Sequence, residues 1–199
     1  MMEFYVQPVG IMQANAYVVF NPKRDDAVVI DPGAEPEAIR LALRGRKLAA
    51  ILLTHGHMDH IGAVGALRSE DVPVFLHEGD AAMLTNPNLN LAVMVGVEGN
   101  QGEPDFCLQE GDTELSGLMF TVLHTPGHTK GSVCYLCDGV LFSGDTLFKA
   151  GIGRTDFPGG DRKAMRASLK RLAALDAKIR VCPGHGGETT IGAERRYIS

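Results

Sequence analysis

Thr54-His55-Gly56-His57-Met58-Asp59-His60, THGHMDH, packs three histidines and an aspartate into seven consecutive residues. It follows the apolar run Leu48-Ala-Ala-Ile-Leu-Leu53. A continuous apolar run of this length reads as a strand buried on both faces, as in a parallel sheet covered by helices. Ligand-type side chains at the end of such a strand point to a site at one sheet edge, because α/β folds gather ligands where strands end and loops begin.

Three more segments repeat the arrangement. His128 lies in TPGHTKG, Asp145 in LFSGDT and His185 in CPGHGG, and each follows an apolar strand: FTVLH, VLFSG and IRVC. The inference is that residues 55, 57, 59, 60, 128, 145 and 185 converge. In an extended segment residues i and i+2 point the same way, so His55 and His57 can grip one ion together. Gly56 between them lets the backbone turn tightly. Asp59 and His60 fall where a helix starts and can serve a neighbouring position. A first ion would take His55, His57 and His128, and a second Asp59, His60 and His185. Asp145, with two oxygens, could bridge them. Imidazoles with a shared carboxylate suit two divalent ions, zinc foremost, and iron or manganese also accepts this donor set. His77 and His124 match no ligand position and read as structural.

The rest of the chain frames this site. FYVQP, AYVVFN and DAVVIDPG read as strands, and EPEAIRLALRGR as a helix with Ile39, Leu41 and Leu43 partly inward. A helix is expected from about Asp59 to Arg68, then a strand at VPVFLH and a short helix. Residues 85–105 read as a long loop with a short apolar plug at LAVMVGV, a candidate cover for the cleft. GLMFTVLH, SVCYLC and VLFSG are strands, and KIRVCPG is the last one. Residues 161–175 form a helix in which Met165, Leu169 and Leu172 share one face. The pattern suggests a layered α/β structure with two related halves in a single domain over residues 1–199.

Composition narrows the function. With 19 Lys and Arg against 24 Asp and Glu the net charge is -5, and the basic residues are dispersed, which argues against nucleic acid. No apolar run is long enough to span a membrane, and the N-terminus lacks a basic leader, so a cytoplasmic location is expected. An assembly of identical chains stays open. Four cysteines are too few for a disulfide scaffold. Cys134 and Cys137 on one strand would face opposite sides, which argues against a metal or redox pair.

At this point the sequence resembles the metallo-β-lactamase-fold hydrolases. THGHMDHIG, TPGHTKGS, FSGDTLF and PGHG match their ligand motifs in order. The resemblance covers essentially the whole chain. It implies an αββα sandwich with the ions at one edge, and ligands at His55, His57, Asp59, His60, His128, Asp145 and His185. It also implies that Asp31, in VVIDPG, supports the ligands from behind. Within the superfamily GDTLFKAGIGRTDFPGG looks most like the short bacterial type of glyoxalase II, the hydroxyacylglutathione hydrolases. Arg154 stands where that group has a basic residue for the substrate carboxylate, and Lys149 is a second candidate. Asp156 and Gly187 replace two tyrosines of that group, and its helical C-terminal extension is absent here. GRTDF also looks like the persulfide dioxygenases of the same superfamily, which use one iron held by the residues matching His55, His128 and Asp145. The expected reaction is hydrolysis of a small thioester by water activated between two ions, with Asp59 and Asp145 as the catalytic carboxylates and Asp59 orienting the water. The alternative is oxidation of a persulfide.

Overall fold

In the computed structural model, which describes residues 1–198, the halves of the chain build two sheets. The first half supplies β1 (Glu3–Val9), β2 (Ala14–Phe20), β3 (Asp26–Ile30), β4 (Lys47–Leu52), β5 (Val74–His77) and β6 (Phe106–Leu108), which lie side by side in chain order. The first two pairings are antiparallel and the last three parallel. The second half supplies β7 (Gly111–Leu115), β8 (Leu118–His124), β9 (Val133–Cys137), β10 (Val140–Gly144), the two-strand ribbon β11 (Leu147–Phe148) and β12 (Gly151–Ile152), then β13 (Arg180–Pro183) and β14 (Thr189–Thr190). Its sheet runs β14-β13-β10-β9-β8-β7.

The side-chain alternation of the strands explains the layering. In β2, Tyr17 and Val19 join Ile30, Leu52, Phe120, Tyr135 and Phe142 between the sheets. Val18 and Phe20 face the other way, toward Ile39, Ile61 and Val64 on α1 (Pro36–Ala42), α2 (Met58–Ile61) and α3 (Val64–Leu67). On the far side, Leu141 and Val181 pack against Met165, Leu169, Leu172 and Ile191. Those come from α5 (Arg162–Ala173) and α6 (Ile191–Ile198); the remaining helix, α4, is a single turn at Ala92–Val95. Strands buried on both faces need helices on both outer sides, and the result is the expected αββα sandwich. Among the described residues no helix is long and apolar enough to cross a membrane.

Several local expectations are corrected. Leu41 is 80% exposed, because Ile39 and Leu43 lie one turn apart and residue 41 falls on the opposite side of the helix. The helix expected over 59–68 is two single turns, α2 and α3, interrupted at Gly62, whose backbone lies against the Gly33 carbonyl. The apolar stretch at 91–97 is not a plug: Val93, Met94, Val95 and Val97 are exposed and only Ala92 is fully buried. That loop is closed by buried Asn90, whose side-chain amide donates to the Met83 and Gly99 carbonyls at 2.7 and 2.6 Å, while its backbone carbonyl accepts from Met58 N–H at 2.8 Å. As expected, α5 buries Met165, Leu169 and Leu172. Asp161 caps it through the Lys163 and Ala164 N–H groups.

Candidate metal centre

Four strand ends deliver the site. His55 and His57 follow β4, His128 follows β8, Asp145 follows β10 directly, and His185 follows β13. Asp59 and His60 sit on α2. The ligand atoms of His55, His57 and His128 lie within 4.8 Å of one another, as do those of Asp59, His60 and His185. His57 Nδ1 is 2.9 Å from His128 Nε2, and His60 Nε2 is 3.3 Å from His185 Nε2. Asp145 lies between the groups: Oδ1 is 3.4 Å from His60 Nε2, and Oδ2 is 3.6 Å from both His128 Nε2 and His185 Nε2. All seven residues singled out in the sequence therefore come together.

The hydrogen bonds on the far side of each ring fix what the cluster presents. His128 Nδ1 donates to the Arg154 carbonyl at 2.7 Å, His185 Nδ1 to the Met12 carbonyl at 3.1 Å, and His60 Nδ1 to Asp31 Oδ2 at 3.0 Å. Thr54 Oγ1 donates to Asp31 Oδ2 and is left to accept from His55 Nδ1 at 3.1 Å. Four imidazoles thus turn an Nε2 lone pair inward, oriented by an oxygen behind them, as histidines that hold metals do. His57 presents Nδ1 instead. His55 Nε2 and Asp145 Oδ1, both turned into the cluster, are buried with no hydrogen-bond partner, a costly state for polar atoms unless a ligand completes them. The donor set fits a pair of divalent cations.

The electrostatics agree. Burial, reinforced by the neighbouring His60 and His128, pulls the His55 pKa well below the ordinary range; burial and then His128 bring His57 down to about 3. Both rings are neutral at pH 7, the form in which an imidazole can hold a metal ion. Burial alone would lower His60, but Asp59, Asp145 and Asp31 outweigh it and raise it well above normal. Burial works against ionised Asp59 and Asp145 too, yet the surrounding histidines hold both below the usual carboxylate range. The three carboxylates make a field that collects positive charge.

Asp31 accepts from Thr54 N–H at 2.7 Å as well as from Thr54 Oγ1 and His60, which fits a supporting role. Arg154 is exposed and bound bidentately to Asp156 at 2.9 and 2.7 Å, with its guanidinium over the Phe157 ring. Phe157 in turn meets the rings of His57 and His128 edge-on. Lys149 is exposed in the turn between β11 and β12. His77 and His124 lie apart from the cluster and stack on each other, 4.1 Å between centroids. Cys134 packs toward α5 and Cys137 between the sheets, so they do face opposite sides. Gly56 has an ordinary backbone torsion; a methyl there would stand 2.5 Å from Met83 Cβ, so close packing rather than a tight turn requires it.

Sequence reasoning missed the supports. Tyr135 on β9 donates to the Leu53 carbonyl at 2.7 Å, and Tyr17 on β2 to the Pro183 carbonyl at 2.7 Å. Each bond crosses between the sheets and lands just before a ligand segment. Asn15 holds the other side of that loop through the Pro183 and Gly186 carbonyls. Asp80 was missed as well. None has a local pattern to betray it, since each partner is far off in the chain.

Comparison with known proteins places this arrangement. Residues 9–185 match the model of the metallo-beta-lactamase superfamily. The chain is 37% identical to a probable metallo-hydrolase, YqgX, of Bacillus subtilis, covering 98% of this chain and 95% of that one. It is 36% identical to the hydroxyacylglutathione hydrolase GloC of Haemophilus influenzae, covering 98% and 96%. Among solved structures, the B3 metallo-beta-lactamase BLEG-1 superposes with a TM-score of 0.92 at 41% identity over 98% of both chains. TTHA1623, in a di-iron-bound form, gives 0.86 at 42% over 96% and 97%. ETHE1 from Myxococcus xanthus gives 0.79 at 30%, covering 98% of this chain and 82% of that one.

Proposed function

The chain belongs to the metallo-β-lactamase superfamily, and we propose that within it the protein is a binuclear metal-dependent hydrolase of thioesters of the S-lactoylglutathione kind. The observation that carries this reading is the full-length similarity to the hydroxyacylglutathione hydrolase GloC, with the donor cluster entire. His55, His57 and His128 would hold one ion, Asp59, His60 and His185 the other, and Asp145 would touch both. Bound there, divalent ions supply a water deprotonated near neutral pH and a Lewis acid for a carbonyl oxygen.

The chain's own groups do the rest. Asp59, held ionised beside His185 Nε2 at 3.1 Å, accepts a hydrogen bond from the attacking water and orients it. The Phe157 ring beside His57 and His128, and the Phe148 ring beside His185, form apolar walls for the acyl group. The leaving thiol has an ordinary pKa of about 8.5, so it departs as a thiolate without a dedicated acid. Serine attack has no support: Ser143 Oγ is buried and donates to the Leu147 carbonyl, and Ser132 Oγ is paired with Thr129. Arg154 and Lys149 are the candidates for a substrate carboxylate, and Arg154 must first exchange Asp156 for it.

The stretch GRTDF, which resembles the persulfide dioxygenases, supports a second reading, persulfide oxidation at a single iron. The purified enzyme, loaded with zinc or with iron, is assayed for thiol release from S-lactoylglutathione and for persulfide-dependent oxygen uptake. Zinc-supported thiol release without oxygen uptake is expected. Oxygen uptake with iron and no thioester turnover with either metal would sink the hydrolase.

A further inference from the structure

We propose that Asp80 is a positioning residue for one ion site alone: its carboxylate joins the His55–His57 turn to the His128 turn and sets the spacing of those three ligands. This rests on the two-ion reading above. Asp80 lies on the 3-10 segment Glu78–Met83 and is 1% exposed. Its Oδ2 accepts from Gly56 N–H at 3.1 Å and from Thr129 Oγ1 at 2.6 Å, while Oδ1 accepts from Gly131 N–H at 2.7 Å. The first donor sits between His55 and His57, and the other two follow His128.

The segment is wedged tightly between the turns. A methyl on Gly56 would stand 2.5 Å from Met83 Cβ, and one on Gly131 would stand 2.5 Å from the Asp80 nitrogen. The other tie between the turns is the bond from Val133 N–H to the Thr54 carbonyl, which lies before His55 and leaves the His57 end to Asp80. The distance at stake is the 2.9 Å between His57 Nδ1 and His128 Nε2, side chains 71 residues apart in sequence. Asp31 serves the other group: it holds His60 directly and reaches His55 only through Thr54. The two buried carboxylates thus divide the centre, and the bonds behind ligands typically set metal affinity by tenfold to hundredfold.

The test is zinc binding to the metal-free full chain, followed by chelator competition, alongside its thermal unfolding. The wild type takes up two zinc ions in two resolvable steps, and His57→Ala identifies the step belonging to the first site. Asp80→Asn weakens that step by about tenfold or more and leaves the other unchanged; Asp31→Asn shows the reverse preference. Equal weakening of both steps, or none, overturns the assignment. If Asp80→Asn does not unfold cooperatively, Thr129→Val, which removes one donor, must show the same one-site loss, and its absence overturns the assignment. Wild type that binds fewer than two ions sinks the two-ion reading and this assignment with it, whereas wild-type binding of two ions with an unaltered Asp80→Asn sinks this assignment alone.

Discussion

Gly184 precedes His185, and its Cα passes against the carboxylate proposed to link the two ions. A methyl group built there stands 2.2 Å from Asp145 Oδ1, 2.7 Å from His60 Cε1 and 3.1 Å from the Gly144 carbonyl carbon. The first contact is about 0.8 Å inside the 3.0 Å below which Cβ atoms essentially never approach. Asp145 cannot retreat as a unit, because Gly153 is packed directly against its carbonyl oxygen. The carboxylate must therefore rotate away from His60 and His128. Overpacking of this kind costs about 1–3 kcal/mol, and at this chain length each kcal/mol lowers Tm by roughly 2–4 °C. Gly184→Ala should then melt about 2–12 °C below the wild type. A displacement near 1 Å at a catalytic group costs on the order of 100-fold in kcat, so thioester turnover should fall by about that factor, with metal content reduced. Gly187→Ala is the control, since nothing lies within 4 Å of its methyl. Elemental analysis, thermal unfolding and thiol release on both variants decide the matter. If Gly184→Ala matches Gly187→Ala in all three, the steric reasoning is wrong.

Other outcomes follow from the supports and the rim. Tyr135→Phe strips the donor from the buried Leu53 carbonyl and should cost about 1–3 kcal/mol of stability, read as a lower midpoint in urea; an unchanged midpoint would refute the clamp. His77 accepts from Gly79 N–H through Nδ1, and burial followed by His124 lowers its pKa. An unfolded histidine takes its proton near pH 6.5, so this contribution to stability is complete above that pH and is lost as pH falls toward the folded pKa. His77→Asn keeps an acceptor without titrating, so its stability relative to wild type should rise between pH 7 and pH 5; a constant difference would remove His77 from the acid response. Asp156→Ala frees the exposed Arg154 guanidinium from its bidentate partner. KM for a carboxylate-bearing thioester should then fall with kcat unchanged, and an unaltered KM would take Arg154 out of recognition.

The ligand residues were legible because their signal is local. HxHxDH fits into six residues, and G-H-T, G-D-T and G-H-G each follow an apolar strand, so convergence followed from topology alone. The inward face of α5 was legible for the same reason: period and burial coincide. What stayed hidden depends on long-range contact. Asp80 resembles any aspartate in a turn until Gly131, 51 residues on, packs against it. Tyr17 and Tyr135 look like ordinary strand aromatics, and only the stacking of the sheets shows where their hydroxyls land. β7, sequence GDTEL, has little apolar content and exists as an edge strand because β8 pairs with it. The loop at 91–97 failed in the opposite sense, since its apolar residues mimic a buried segment while the buried polar side chain of Asn90 anchors the loop.

The most direct test of the account is elemental analysis of the protein purified from its native host. Two divalent ions per chain, zinc foremost, released together when Asp145→Ala removes the carboxylate between the two groups, is the predicted result. A single iron per chain, retained at full occupancy after His60→Ala and His185→Ala, would contradict it.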